Sequence, residues 1–87
     1  MMRGATRVDG NAIAGLLSEA MAGDVTVMVG VCGGCGDASV LAEASVEQDD
    51  TGAIVLCRAC TMTLFTILRE SDGVRVIFGS LRELRTG

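Results

Sequence analysis

Hydrophobic positions change their period several times along this chain, and each change predicts an element. Ile13, Leu16, Leu17, Ala20 and Met21 recur at steps of three and four, one stripe of a helix over residues 10–21. Asp9 is placed to cap its N-terminus, Val8 to pack on Ile13 in the next turn, and Gly23 to end it. The run 25–31 is rich in valine and predicts a strand. In 37–47, Val40, Ala42, Ala44 and Val46 alternate with Leu41, Glu43, Ser45 and Glu47, predicting a half-buried strand. A turn at 48–52 leads to a short apolar strand at 53–56. Over 61–69, Met62, Leu64, Thr66 and Leu68 alternate with Thr61, Thr63, Phe65 and Ile67, which predicts a strand apolar on both faces. Ser71-Asp72-Gly73 turns into a strand at 74–78, and Ser80-Leu81-Arg82-Glu83 has the capping-box form of a closing helical turn.

These elements predict an α+β fold: an N-terminal helix packed on a small antiparallel sheet of about five strands. Residues 1–7 read as a flexible tail and 8–87 as a single domain. At 87 residues the chain is near the size where an apolar core alone gives only a few kcal/mol, so a covalent or metal staple is expected.

Four cysteines supply the candidate. Cys32-Gly-Gly-Cys35 and Cys57-Arg-Ala-Cys60 are separated by 21 residues, close to the paired CxxC spacing of zinc sites. Two intervening residues let a tight turn aim both sulfurs at one point, and Gly33, Gly34 and Gly36 suit such a turn. Two facing turns would give four thiolates around one Zn(2+), the metal ligands being Cys32, Cys35, Cys57 and Cys60. The sheet is thus expected to be a zinc ribbon. Four cysteines could instead merely fill the core, and one CxxC could be a dithiol redox site. The first ignores the spacing and the second leaves one pair unexplained. Iron held by four thiolates is chemically open, but with Phe65 and Phe78 the only aromatics, the usual aromatic shell is missing.

Four protein ligands leave the metal no open position, so it is read as structural. The chain has no histidine, which removes the commonest general base. Asp49 and Asp50 are adjacent carboxylates, read as solvated turn residues beside Gly52. No enzymatic activity is therefore expected. Net charge is -4, and four thiolates with a dication would bring it to about -6. Arg69, Arg75, Arg82 and Arg85 are interleaved with Glu70, Asp72 and Glu83, and stacking aromatics are scarce, so a nucleic-acid partner is disfavoured. The longest uncharged run, 25–36, is too short to span a membrane. Reduced cysteines and the lack of a signal-peptide pattern predict a cytoplasmic protein.

The order of Asp9-Gly10-Asn11-Ala12, Glu19, Asp24-Val25-Thr26, the four cysteines with Gly36, and Leu81-Arg82 resembles a domain-of-unknown-function family of small actinobacterial zinc-ribbon proteins. The likeness runs from Val8 to Leu84. It departs at Leu16 and Arg58, where prolines are common, and at 76–78, where a tryptophan-containing strand is usual. The resemblance implies a fold, a metal and an accessory role beside an oxidoreductase, with no assigned activity. The function expected is thus a non-catalytic protein-interaction or accessory module. A nucleic-acid-associated ribbon and a small four-cysteine iron or redox protein are the alternatives. Because the strand at 61–69 is apolar on both faces, a protein partner or a homo-oligomer is expected to cover one of them, with helix 10–21 as the first contact candidate. Leu81 and Leu84 folding over that face would instead leave a monomer.

Overall fold

The computed structural model describes residues 6–21, 23 and 25–86. Among these residues, eight strands form two antiparallel sheets joined by one helix and two 3-10 turns. Strand β1 (Thr6–Asp9) leads into a 3-10 turn (Gly10–Ile13) and helix α1 (Ala14–Met21). Then come β2 (Val29–Cys32), β3 (Ala38–Val40), a second 3-10 turn (Leu41–Glu43), β4 (Ser45–Asp49), β5 (Gly52–Leu56), β6 (Thr63–Glu70), β7 (Gly73–Phe78) and β8 (Leu81–Arg85). The large sheet has the order β1-β4-β5-β6-β7, and the small one β3-β2-β8. The fold is α+β, as the pattern predicts, but the strands divide between two sheets where about five in one were expected.

The register decides which face is inside. Val8, Val46, Val55, Phe65 and Phe78 are cross-strand partners in one row, and Ala53, Ile67 and Val76 in the next row on that side. Ile13, Leu16 and Leu17 from the helical segment, with Val25 and Leu41, complete the core against this face. An isolated helix this short is marginal in water, so α1 is held by tertiary burial: three side chains at about 1.5–3 kcal/mol each. The helix starts as expected, the Asp9 carboxylate accepting from the Ala12 N–H at 3.1 Å, and the Gly23 N–H donates to Ser18 O near its end. Its apolar side is buried within the chain, so it does not offer the contact face expected of it.

Several expectations give way to turns and bulges. The strand expected over 25–31 begins only at Val29. Met28 N–H donates to Val25 O at 3.0 Å, and the carbonyls of Thr26 and Met28 accept from Ala42 and Leu41. That backbone is spent on the second 3-10 turn, so β-branched composition does not make a ladder there. The strand expected over 37–47 is broken by the same turn, which hands the chain from the small sheet to the large one. The helical turn expected at 80–83 is the strand β8. Ser80 does not cap a helix, because its carbonyl accepts from Gly33 N–H and its hydroxyl lies 3.7 Å from the Cys32 sulfur. The register shifts between Val31 and Cys32, leaving Arg82 as an extra residue on β8. The bulge turns both Leu81 and Leu84 inward, giving a three-residue spacing in a strand. Similarly, Leu64 is the extra residue where β6 meets β5, which is why Leu64 and Phe65 are both buried although adjacent. The tail expected over 1–7 falls largely outside the described residues, but Thr6 and Arg7 belong to β1, and the Arg7 guanidinium bonds Ser45 and Glu47.

Gly10 fixes how closely the two 3-10 turns cross. Its N–H donates to Ala44 O at 3.0 Å, and a Cβ at this position would lie 1.8 Å from Leu41 O, a backbone atom that cannot move alone. Gly10→Ala is therefore expected to destabilise the domain by about 2 kcal/mol or more through overpacking. Asn11→Ala, on the exposed side of the same turn, should change stability far less. Denaturant titration of the two variants checks this.

Candidate metal centre

The two CxxC segments form turns with the same hydrogen-bond pattern, offset by 25 positions. In the first, Gly34 N–H points at Cys32 Sγ at 3.3 Å, Gly36 N–H donates to Cys32 O at 2.9 Å, and Cys32 N–H donates to Asp37 O at 3.0 Å. In the second, Ala59 N–H points at Cys57 Sγ at 3.4 Å, Thr61 N–H donates to Cys57 O at 2.9 Å, and Cys57 N–H donates to Met62 O at 2.8 Å. The backbone thus aims each pair of sulfurs while satisfying its own polar groups. Both turns need a positive φ just after their second cysteine. Gly36 supplies it at 80°, and Thr61 supplies it at 64°, the one described non-glycine residue in that region. Sequence pattern alone did not single out Thr61; aligning the two CxxC segments on each other would have.

The turns bring the four sulfurs within 4.8 Å of one another. Cys32 Sγ is 3.7 Å from Cys60 Sγ, and Cys35 Sγ is 3.6 Å from Cys57 Sγ. A disulfide would need about 2.05 Å. A tetrahedron with metal–sulfur bonds of ~2.3 Å has edges of about 3.8 Å, so the spacing fits four thiolates around one ion. Cys32 and Cys57 are buried, Cys60 is half-buried and Cys35 is exposed, so the centre lies at the surface with one rim open. Among the described residues all four predicted ligands come together, and no other group of three or more potential ligands does.

Neighbouring segments brace the first turn. The link between β7 and β8 crosses it: Gly33 N–H donates to Ser80 O at 2.7 Å, while Gly79 and Ser80 N–H groups donate to Leu64 and Thr63 carbonyls on β6. Arg58, inside the second turn, reaches Glu43 at 2.8 Å and Asp37 at 3.7 Å, tying the two turns together from outside. These pairs are half-exposed, so they contribute at most about 1 kcal/mol. Asp49 behaves as the turn residue expected: its Oδ1 accepts from Thr51 N–H at 2.8 Å, the Thr51 hydroxyl at 2.6 Å and Gly52 N–H at 3.3 Å. Those bonds, led by the Thr51 hydroxyl, lower its pKa.

A protein-family model described as a family of unknown function, DUF6510, matches residues 4–87. The chain belongs to DUF6510. No curated protein and no solved structure matches it. The match spans the stretch that carries the resemblance read from the sequence, including all four cysteines of this DUF6510 chain.

Proton competition sets the chemistry of the centre. The backbone N–H of Cys35, then the Ser80 hydroxyl, Gly34 N–H and Cys60 thiol, hold the Cys32 thiol down to about 6 against the opposing effect of burial. Cys35 is pushed up to about 12: the Asp37 backbone N–H favours its thiolate, but desolvation and the sulfurs of Cys57, Cys60 and Cys32 outweigh it. Cys60 is also raised; the Met62 backbone N–H opposes the rise, which desolvation and the neighbouring Cys32 and Cys57 sulfurs produce. Were a metal to bind near neutral pH, Cys32 would offer it a thiolate, while Cys35 and Cys60 would each have to release a proton to ligate.

Two predictions follow from this arrangement. Thr61→Gly should raise stability by about 0.5–1 kcal/mol, because a β-branched side chain is strained at positive φ; thermal melts of the metal-loaded chain check it. With at least two protons displaced, the apparent affinity for a divalent metal should fall by about 100-fold or more for each pH unit lowered around neutrality. Competition against a chromophoric chelator at two pH values measures that slope, and a pH-independent affinity would contradict it.

Proposed function

We propose that this DUF6510 protein is a non-catalytic, cytoplasmic zinc-ribbon module, built around one structural Zn(2+) held by Cys32, Cys35, Cys57 and Cys60 and serving as a protein-interaction or accessory unit. The observation that carries it is where the ligands come from. Cys32 ends β2 of the small sheet, and Cys57 follows β5 of the large one, so an ion at this point clips the two sheets together. A catalytic zinc would need a position free for water or substrate, and four protein sulfurs fill the tetrahedron. The absence of histidine from the chain supports the same reading. Zinc is favoured over iron because no aromatic shell surrounds the sulfurs, the two phenylalanines lying on β6 and β7.

An interaction role is supported by what the charges do. Arg7, Arg58 and Arg75 are each paired with carboxylates, and the exposed Arg69, Arg82 and Arg85 are interleaved with the acidic Glu70 and Glu83, which disfavours a nucleic-acid backbone on a chain of net charge -4. Reduced thiols at metal-ligand spacing suit a reducing compartment. No helix among the described residues is long and apolar enough to cross a membrane.

Structural zinc gives an apparent binding free energy on the order of 10–16 kcal/mol, comparable to or above the total stability of a domain this size. Elemental analysis of colourless purified protein is expected to give one zinc per chain, and a strong chelator or Cys60→Ser should abolish the cooperative melt. Red protein would indicate ferric iron instead. Variants that keep the wild-type circular dichroism and melting temperature without metal would overturn the structural role.

A further inference from the structure

The large sheet has a second face, and the register lists what stands on it. Arg7, Glu47, Ile54, Thr66 and Ile77 form one row across all five strands, and Asp49, Gly52, Leu68 and Arg75 form the next. Leu56 lies on this side in the row beyond Ile54 but is buried within the chain. None of Ile54, Leu68 and Ile77 belongs to the core cluster or packs against it as a partly buried neighbour; Ile54 and Leu68 are half-buried, and Ile77 is 46% exposed. The helix and the small sheet are on the other side. Leu81 and Leu84, which could have folded over this face, pack against the core instead. The patch has an apolar centre and a charged rim, with Arg7 bonded to Glu47 on one side and Arg75 to Glu70 on the other. That is the anatomy of a protein contact.

We propose that this face binds a second copy of the chain, forming a weak two-fold dimer by sheet-on-sheet packing. The proposal rests on the interaction-module reading above and gives it a surface. Self-recognition is argued from the rim. A second copy turned over about an axis that runs along the strands, between β5 and β6, lays β4 of each copy over β7 of the other. Asp49 stands on β4 and Arg75 on β7 in the same row, so this turn sets Asp49 of each copy against Arg75 of the other, twice, as an isologous contact requires; Arg75 holds Glu70 through one guanidinium nitrogen, so Asp49 of the other copy would join that pair through the remaining donors. The apolar residues of β5 and β6 meet at the axis. An axis at right angles to the strands would stack β7 on β7 and gather the two arginines on one side, away from the acids.

Area sets the strength. Only β4 to β7 overlap in this arrangement, and four strands at ~4.8 Å spacing with two rows of side chains give roughly 300 Å² in projection, well under half of what each partner buries in a standard stable complex. The dimer should therefore be reversible, with a dissociation constant on the order of 10–1000 μM.

Sedimentation velocity of the metal-loaded protein from about 5 μM to about 1 mM tests this, and the weight-average mass should rise toward two copies. Leu68→Glu should shift dimer formation to at least about tenfold higher concentration. Arg75→Glu should weaken it and abolish its sensitivity to salt. Ile77→Glu serves if Leu68→Glu fails to reach the wild-type melting temperature and metal content. A wild type that stays monomeric throughout overturns the proposal, as does a dimer indifferent to all three substitutions. Metal content read on the same samples keeps the two readings apart: a monomer holding its metal removes only the dimer, and a metal-free chain that still dimerises removes only the structural ion.

Discussion

The structure depends on four sulfurs meeting at the seam between two sheets. Each sheet is small: three strands in one, and in the other five strands that bury a single face against one short helix. Neither sheet alone makes a core of the size that holds a domain folded. The apolar cluster that joins them includes Cys32 and Cys57 themselves, so the ligands contribute to packing as well as to the centre. Desolvation and the crowding of four sulfurs raise the pKa of Cys35 and Cys60, and a cation held there in place of the protons would offset both effects.

The centre is built from one device used twice. Each turn points an N–H at the first sulfur, closes on the first carbonyl and leaves at positive φ. The first turn meets these demands with glycines, and the second with Arg58, Ala59 and Thr61. The two are also braced differently. The glycine turn is crossed by the link from β7 to β8, whereas the second is tied through the Arg58 guanidinium to Asp37 and Glu43. A glycine-rich segment needs its neighbours to hold it, while a side-chain-bearing one can reach out.

The cluster of four cysteines was legible in the sequence because their spacing follows from local geometry, and the helix because its stripe and its Asp9 cap are local too. Strand β6 was legible from alternation, and β5 and β7 from the turns at 48–52 and 71–73 that precede them. The failures share a cause in contacts distant along the chain. Nothing within 25–28 shows that its carbonyls are claimed by Leu41 and Ala42. Leu81 and Leu84 have helical spacing because a bulge opposite Cys32 inserts one residue, a property of the pairing between β2 and β8. The division into two sheets follows from the 3-10 turn at Leu41–Glu43, whose alanines and glutamate suit either alternation or a turn. Gly10 carries a family motif whose purpose becomes visible only where Leu41 crosses it.

The topology also bears on the order in which the chain can assemble. Strands β4 to β7 are a meander of sequential hairpins, and Val55 finds Phe65 only 10 positions away. Gly30 must find Leu84 across 54 positions, which costs about 1.5 kcal/mol more in loop-closure entropy. The meander therefore has the lower entropic barrier, and it carries the Cys57 turn with it. An ion bridging that turn to Cys32 would tether β2 beside the meander, leaving only the chain from Cys60 to Leu81 to close before β8. A clip between the two sheets in space would thus also lie between the early and the late contacts in time.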